Sequence, residues 1–176
     1  MLENIIEYSM EVFSRLFKID LNWCFATIDT NTPEEVKEAI SMAYNHEEKV
    51  IVINPQLLEQ YSDCNYSEQE LSYVIFGLIA HEYRHAWQHL SDEYKHEWLN
   101  YKTFESITDN YVFQKVEIDA YAFQEACIWF ISNELNHHLT VPDEEANLIH
   151  KLAVEHYYQY RNDIKKIMND LVEEFC

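Results

Sequence analysis

Glycine occurs once in this chain of 176 residues, as Gly77, and proline three times. No other feature restricts the fold so strongly. A chain almost without residues that favour positive φ or break helices cannot make the many tight turns of a β-sandwich, so long helices are expected. The same scarcity excludes phosphate-cradling P-loops, the dinucleotide fingerprint and the nucleophile elbow, all of which need glycine. The chain is nonetheless built to bury a core, because 48% of its residues are hydrophobic and 15% aromatic. Its 12 Lys and Arg against 32 Asp and Glu give a net charge of −20. That charge repels phosphate and argues against direct nucleic-acid binding. It is compatible with a basic protein or peptide partner, or with imitation of nucleic acid.

The segments follow from periodicity. Leu2, Ile5, Ile6, Met10, Val12, Phe13, Leu16 and Phe17 have helical spacing with acids between them, which predicts a helix over 2–17. Residues 21–28 and 50–54 read as strands, the second ended by Pro55. Thr32-Pro33-Glu34-Glu35 has the form of a helix start and predicts a helix running to about Tyr44. Ser67 and Glu70 form a capping-box pattern, opening a helix to about His89. Another helix is expected over 111–135, one restarts at Val141-Pro142-Asp143, and helix continues from Asn162 to the end. The expected fold is α+β and mostly helical, with a small sheet packed on long helices. Without a repeat or linker, residues 1–176 read as a single domain. The acidic N-terminus and lack of a long apolar run predict no secretion signal and no membrane span. With four widely spaced cysteines and no CxxC, these signs point to the cytoplasm and to free thiols.

The helix from Ser67 carries His81-Glu82-Tyr83-Arg84-His85, an HExxH pattern expected by chance only about 0.06 times in this composition. Its spacing has a chemical reason. Residues i and i+4 share a helix face, so two imidazoles can grip one metal ion, and Glu82 can act as general base on a water at the open metal position. Leu71, Val74, Ile75 and Leu78 form an apolar stripe that His81, Glu82 and His85 continue. The opposite side is apolar too, leaving a thin polar line through Ser72, Arg84 and Gln88. Three ionisable groups on a buried face need partners, and a metal satisfies all three.

A catalytic zinc needs a third protein ligand. The extended pattern that supplies a third His fails, because Gln88 and Ser91 occupy the positions of its Gly and His. His89 lies about 12 Å along the axis from His81, too far to share the ion. Glu117, an acid in a mostly apolar stripe with Ala120 one turn on, is the candidate from the next long helix. Asp119 points about 200° away from Glu117 and reads as a supporting or surface group.

The strand Val50 to Asn54, the run Ile79 to Gln88 around HExxH, and Glu117-Ile118-Asp119-Ala120-Tyr121-Ala122-Phe123 together resemble the short gluzincin-type metallopeptidases. The ImmA/IrrE-like and phage-encoded members are nearest in layout. The resemblance spans roughly residues 48–125. It implies a zincin-like minimal core, zinc on His81, His85 and Glu117, Glu82 as base, hydrolysis of a peptide bond, and a cleft lined by 50–54. Larger thermolysin-like enzymes carry Asp four residues after the Glu ligand, where this chain has Tyr121, so their supporting arrangement is not expected. Candidates to stabilise the transition state are Tyr111, Tyr121, His137 and His138. Two other readings compete: an acidic inhibitor imitating nucleic acid, and a closed structural zinc whose fourth ligand comes from His89, Asp119 or a downstream His.

Overall fold

In a computed structural model, residues 2–26, 42–55, 66–101, 114–132 and 143–175 are described here. The first helix, α1 (Leu2–Phe17), turns Ile6, Met10, Val12 and Phe13 inward, as its spacing predicts. It ends in a Schellman-type turn: Lys18 takes φ 56°, and the Ile19 N–H reaches the Ser14 carbonyl at 3.3 Å. Glycine usually fills that left-handed position; with one glycine in the chain, a lysine does.

Three short strands follow: β1 (Asn22–Phe25), β2 (Met42–Asn45) and β3 (Val50–Ile53). They form a sheet of order β1-β3-β2, with β1 parallel and β2 antiparallel to the central β3. The β2–β3 hairpin turns through His46-Glu47-Glu48-Lys49. Asn45 Oδ1 accepts the Glu47 and Glu48 N–H groups at 3.0 and 3.1 Å, and Lys49 takes φ 54°.

The remaining elements are helical: α2 (Glu68–Leu90), α3 (Lys95–Leu99), α4 (Lys115–Ser132) and α5 (Asp143–Phe175). The capping box at the start of α2 is present, with Glu70 N–H on Ser67 Oγ at 3.2 Å and Ser67 N–H on Glu70 Oε2 at 2.8 Å. The helix is central: α1, α4 and β2 all pack on it, while α5 lies against α4 and α1. Gly77 lets α4 pack tightly on α2, since a Cβ there would stand 2.7 Å from Ile128 Cδ1. Phe13, Phe76, Tyr83 and Phe123 join α1, α2 and α4 in one aromatic core. The architecture is thus α+β and mostly helical, with a small sheet against helices. No helix among the described residues is long and apolar enough to cross a membrane. Cys24 and Cys127 are free thiols.

Two expectations need correction. The helix expected to reach Tyr44 does not: Met42–Asn45 is strand β2, because pairing with β3 overrides the local helix-forming residues, while the start at Thr32-Pro33 lies outside the described residues. The strand at 50–54 is central and paired on both sides, so it offers no edge to a cleft; β2 does. Within the thin polar line on α2, Arg84 and Gln88 are buried, at 4% and 0% exposure. The C-terminal helix runs from Asp143 to Phe175 and takes in the helical stretch expected from Asn162, while no sequence pattern marks the short α3.

Candidate metal centre

The i, i+4 spacing on α2 aims His81 and His85 at one point, their Nε2 atoms 3.0 Å apart. Glu117, in the first turn of α4, completes the group. Its Oε2 lies 3.4 Å from His81 Nε2 and its Oε1 3.4 Å from His85 Nε2. All three residues are buried, at 7%, 5% and 1% exposure. Charge-assisted hydrogen bonds close to about 2.7–2.9 Å, so 3.4 Å is long for a direct ion pair. These two spacings match those around an ion, since zinc–ligand bonds of about 2.0–2.2 Å at tetrahedral angles place ligand atoms roughly 3.3–3.5 Å apart, while the two imidazole nitrogens stand closer, at 3.0 Å. Two imidazoles and one carboxylate are also the donor set of a three-ligand metal site. The group can therefore hold a metal ion, and among the described residues no fourth His, Cys, Asp or Glu joins it.

The electrostatics point the same way. Burial pushes the Glu117 carboxyl up, but the facing His85 and His81 hold it well below the ordinary carboxylate range. Burial pushes the His85 imidazole down, but the Glu117 charge and hydrogen bond outweigh that and raise it. A position that so favours positive charge suits a divalent cation.

The supporting groups fix the ligands unequally. Gln88 Oε1 lies 3.0 Å from His85 Nδ1; Nδ1–H donates to it, leaving Nε2 as the lone-pair donor. The Gln88 amide is itself anchored by the Val116 carbonyl at 2.9 Å and Asp119 Oδ2 at 2.7 Å. Glu117 Oε1 accepts the Tyr101 hydroxyl at 2.6 Å. His81 has no such anchor: its Nδ1 is buried without a hydrogen-bond partner among the described residues. Against its ring stands Tyr121, edge-on with ring centres 4.7 Å apart.

Asp119 faces away from the triad into a separate network. It accepts Arg84 Nε at 2.7 Å, Arg84 NH2 at 3.1 Å and His156 Nε2 at 2.9 Å, besides Gln88. It is a supporting group and not a surface acid, with 4% exposure. Nor does His89 reach the triad; its Nδ1 meets the Tyr44 hydroxyl at 3.3 Å.

Glu82 is buried but is not one of the triad. Its Oε2 accepts the backbone N–H of Tyr44 at 2.7 Å, which ties α2 to strand β2. Of the four residues considered for the transition state, Tyr121 adjoins the site, and Tyr111, His137 and His138 lie outside the described residues.

The sequence pattern does not single out Tyr44, Tyr101 and His156, nor the partners of Arg84 and Gln88. One signal was available: Arg84 and Gln88 stand four apart in a helix otherwise apolar on nearly every side, and His156 follows Ile149 and Ala153 on an apolar face of α5. The chain matches no family model, and comparison with curated proteins and with solved structures also finds no match.

Proposed function

We propose that the chain is a zinc-dependent peptidase in which His81, His85 and Glu117 hold the ion and Glu82 is the general base. The observation that carries this reading is the pairing of an open three-donor group with a buried carboxylate next to it that is not a donor. A closed structural site needs a fourth protein ligand, from His89, Asp119 or a downstream His, and among the described residues no fourth His, Cys, Asp or Glu joins the group.

A bound zinc ion supplies a Lewis acid and lowers the pKa of its water toward ~7. Glu82 takes the proton of that water and later delivers it to the leaving amine nitrogen. The Tyr44 N–H on Oε2 fixes the carboxylate and leaves Oε1 for the proton. In an antiparallel pair, alternate residues turn their N–H and C=O away from the partner strand. Tyr44 is such a residue, so the outer edge of β2 faces the site and offers main-chain groups to an extended peptide. Tyr121, against His81, is the described residue best placed by type to donate to developing negative charge.

The test is Glu82→Gln, assayed on a library of fluorogenic peptides beside the wild type. The variant retains zinc, because residue 82 is no ligand, and loses about 10²–10⁴ in turnover. Undiminished turnover removes Glu82 from the base role. Zinc retained in a wild type that cleaves no peptide supports a structural site instead.

A further inference from the structure

A second pair of imidazoles stands beside the triad. His46, in the β2–β3 turn, and His89, one turn beyond His85 on α2, have ring centres 5.4 Å apart at an interplanar angle of 76°. The triad's own pair, His81 and His85, has ring centres 4.6 Å apart at 82°. The resemblance has metric content. A zinc-class ion bound at about 2.0–2.1 Å from a ring nitrogen lies roughly 3.2 Å from the ring centre, so two rings at a tetrahedral angle stand about 5.2 Å apart.

The supporting groups repeat those of the triad. His89 Nδ1 meets the Tyr44 hydroxyl at 3.3 Å, as His85 Nδ1 meets Gln88; with Nδ1–H donated to the phenol oxygen, Nε2 is left as a lone-pair donor. The Trp98 ring lies beside both imidazoles, tilted at 32° with its centre 5.0 Å from that of His89 and edge-on at 6.1 Å to His46. His46 is exposed and His89 half-buried, so solvent reaches the pair. The net charge of −20 concentrates cations around the chain.

We propose that His46 and His89 form a second binding site for a zinc-class transition-metal ion, at the end of the site region bordered by β2. It is weaker than the triad because it lacks a carboxylate and is more open. Tyr44 connects the two places, its hydroxyl on His89 and its N–H on Glu82, so an ion here braces β2 against α2 beside the base. The assignment does not depend on peptidase activity.

The experiment is a titration of the full chain with Zn²⁺, and in parallel Ni²⁺, in competition with a chromophoric chelator. Two classes of binding are expected. His46→Ala and His89→Gln each remove the weaker class and leave the tighter, and Lys49→Ala, which deletes an opposing charge, strengthens the weaker. Thermal melts in EDTA verify that each variant is folded. A wild type whose single class of binding is lost in Glu117→Ala, and so belongs to the triad, overturns the assignment. So does a second class that survives both histidine substitutions, which marks scattered binding to the acidic surface. If the triad itself binds nothing, the tighter class alone is missing, so the two readings fail separately.

Discussion

Glu117 and Asp119 are two residues apart on α4 and equally buried, yet their surroundings differ in kind. Asp119 is saturated. Four donor contacts from Arg84, Gln88 and His156 close on it at 2.7–3.1 Å. Glu117 meets its two imidazoles at 3.4 Å, too long for strong hydrogen bonds and suited to sharing an ion. Half a helix turn thus separates a network of short hydrogen bonds that holds α2, α4 and α5 together from a group of donors that could hold a metal ion. The difference teaches that burial and charge alone do not mark a functional carboxylate; the spacing of its partners does. Gln88 joins the two, with one end on His85 and the other on Asp119.

The sharpest way to break this comparison is Asp119→Ala. It leaves the Arg84 guanidinium buried without its carboxylate, which destabilises the fold by about 3–5 kcal/mol in urea denaturation. A loss under about 1 kcal/mol shows that the network does not carry the packing of α5. The pH dependence has a definite sign. Burial pushes the Asp119 carboxyl up, but His156 and Arg84 hold it well below the ordinary range. Its folded pKa is therefore lower than its unfolded value of about 3.9. Its stabilisation is present above that value and is lost as pH falls below it toward the folded pKa. Asp119→Asn accordingly gives a shallower loss of stability with acid than the wild type; an unchanged slope contradicts the assignment.

Gln88→Leu tests the link between the two networks. With His85 Nδ1 unanchored, metal affinity should fall about 10–100-fold while the helix stays intact by circular dichroism. Unchanged affinity disconnects Asp119 from the metal centre. The smallest effect concerns how α2 reaches α4 at all. Gly77→Ala forces the new Cβ against Ile128, an overpacking of about 1–3 kcal/mol. About 1 kcal/mol of improved helix propensity offsets it, for a net loss near 1 kcal/mol. A stabilised variant means that the half-buried Ile128 side chain swings clear.

The local parts of this molecule were legible in its residues. Apolar spacing in 2–17, the Ser67–Glu70 box and the i, i+4 imidazoles are properties of one segment each, and each stands where it was expected. Glu117 was legible because an acid in an apolar stripe needs a partner. Strand β2 was not, since Met42-Ala43-Tyr44-Asn45 has no strand pattern of its own and is extended through its pairing with β3. The Asp119 network was equally hidden. Its contacts join residues 31 to 37 positions apart, and polar identity alone does not say whether Arg84 meets water or a carboxylate.

The central claim, that His81, His85 and Glu117 form a metal site, is tested most directly by elemental analysis. The wild type and Glu117→Ala are purified alike and dialysed against a weak chelator that strips loosely held ions. About one zinc per wild-type chain and a large loss in Glu117→Ala are predicted. A folded wild type without zinc, or a Glu117→Ala chain that keeps its full complement, contradicts the account.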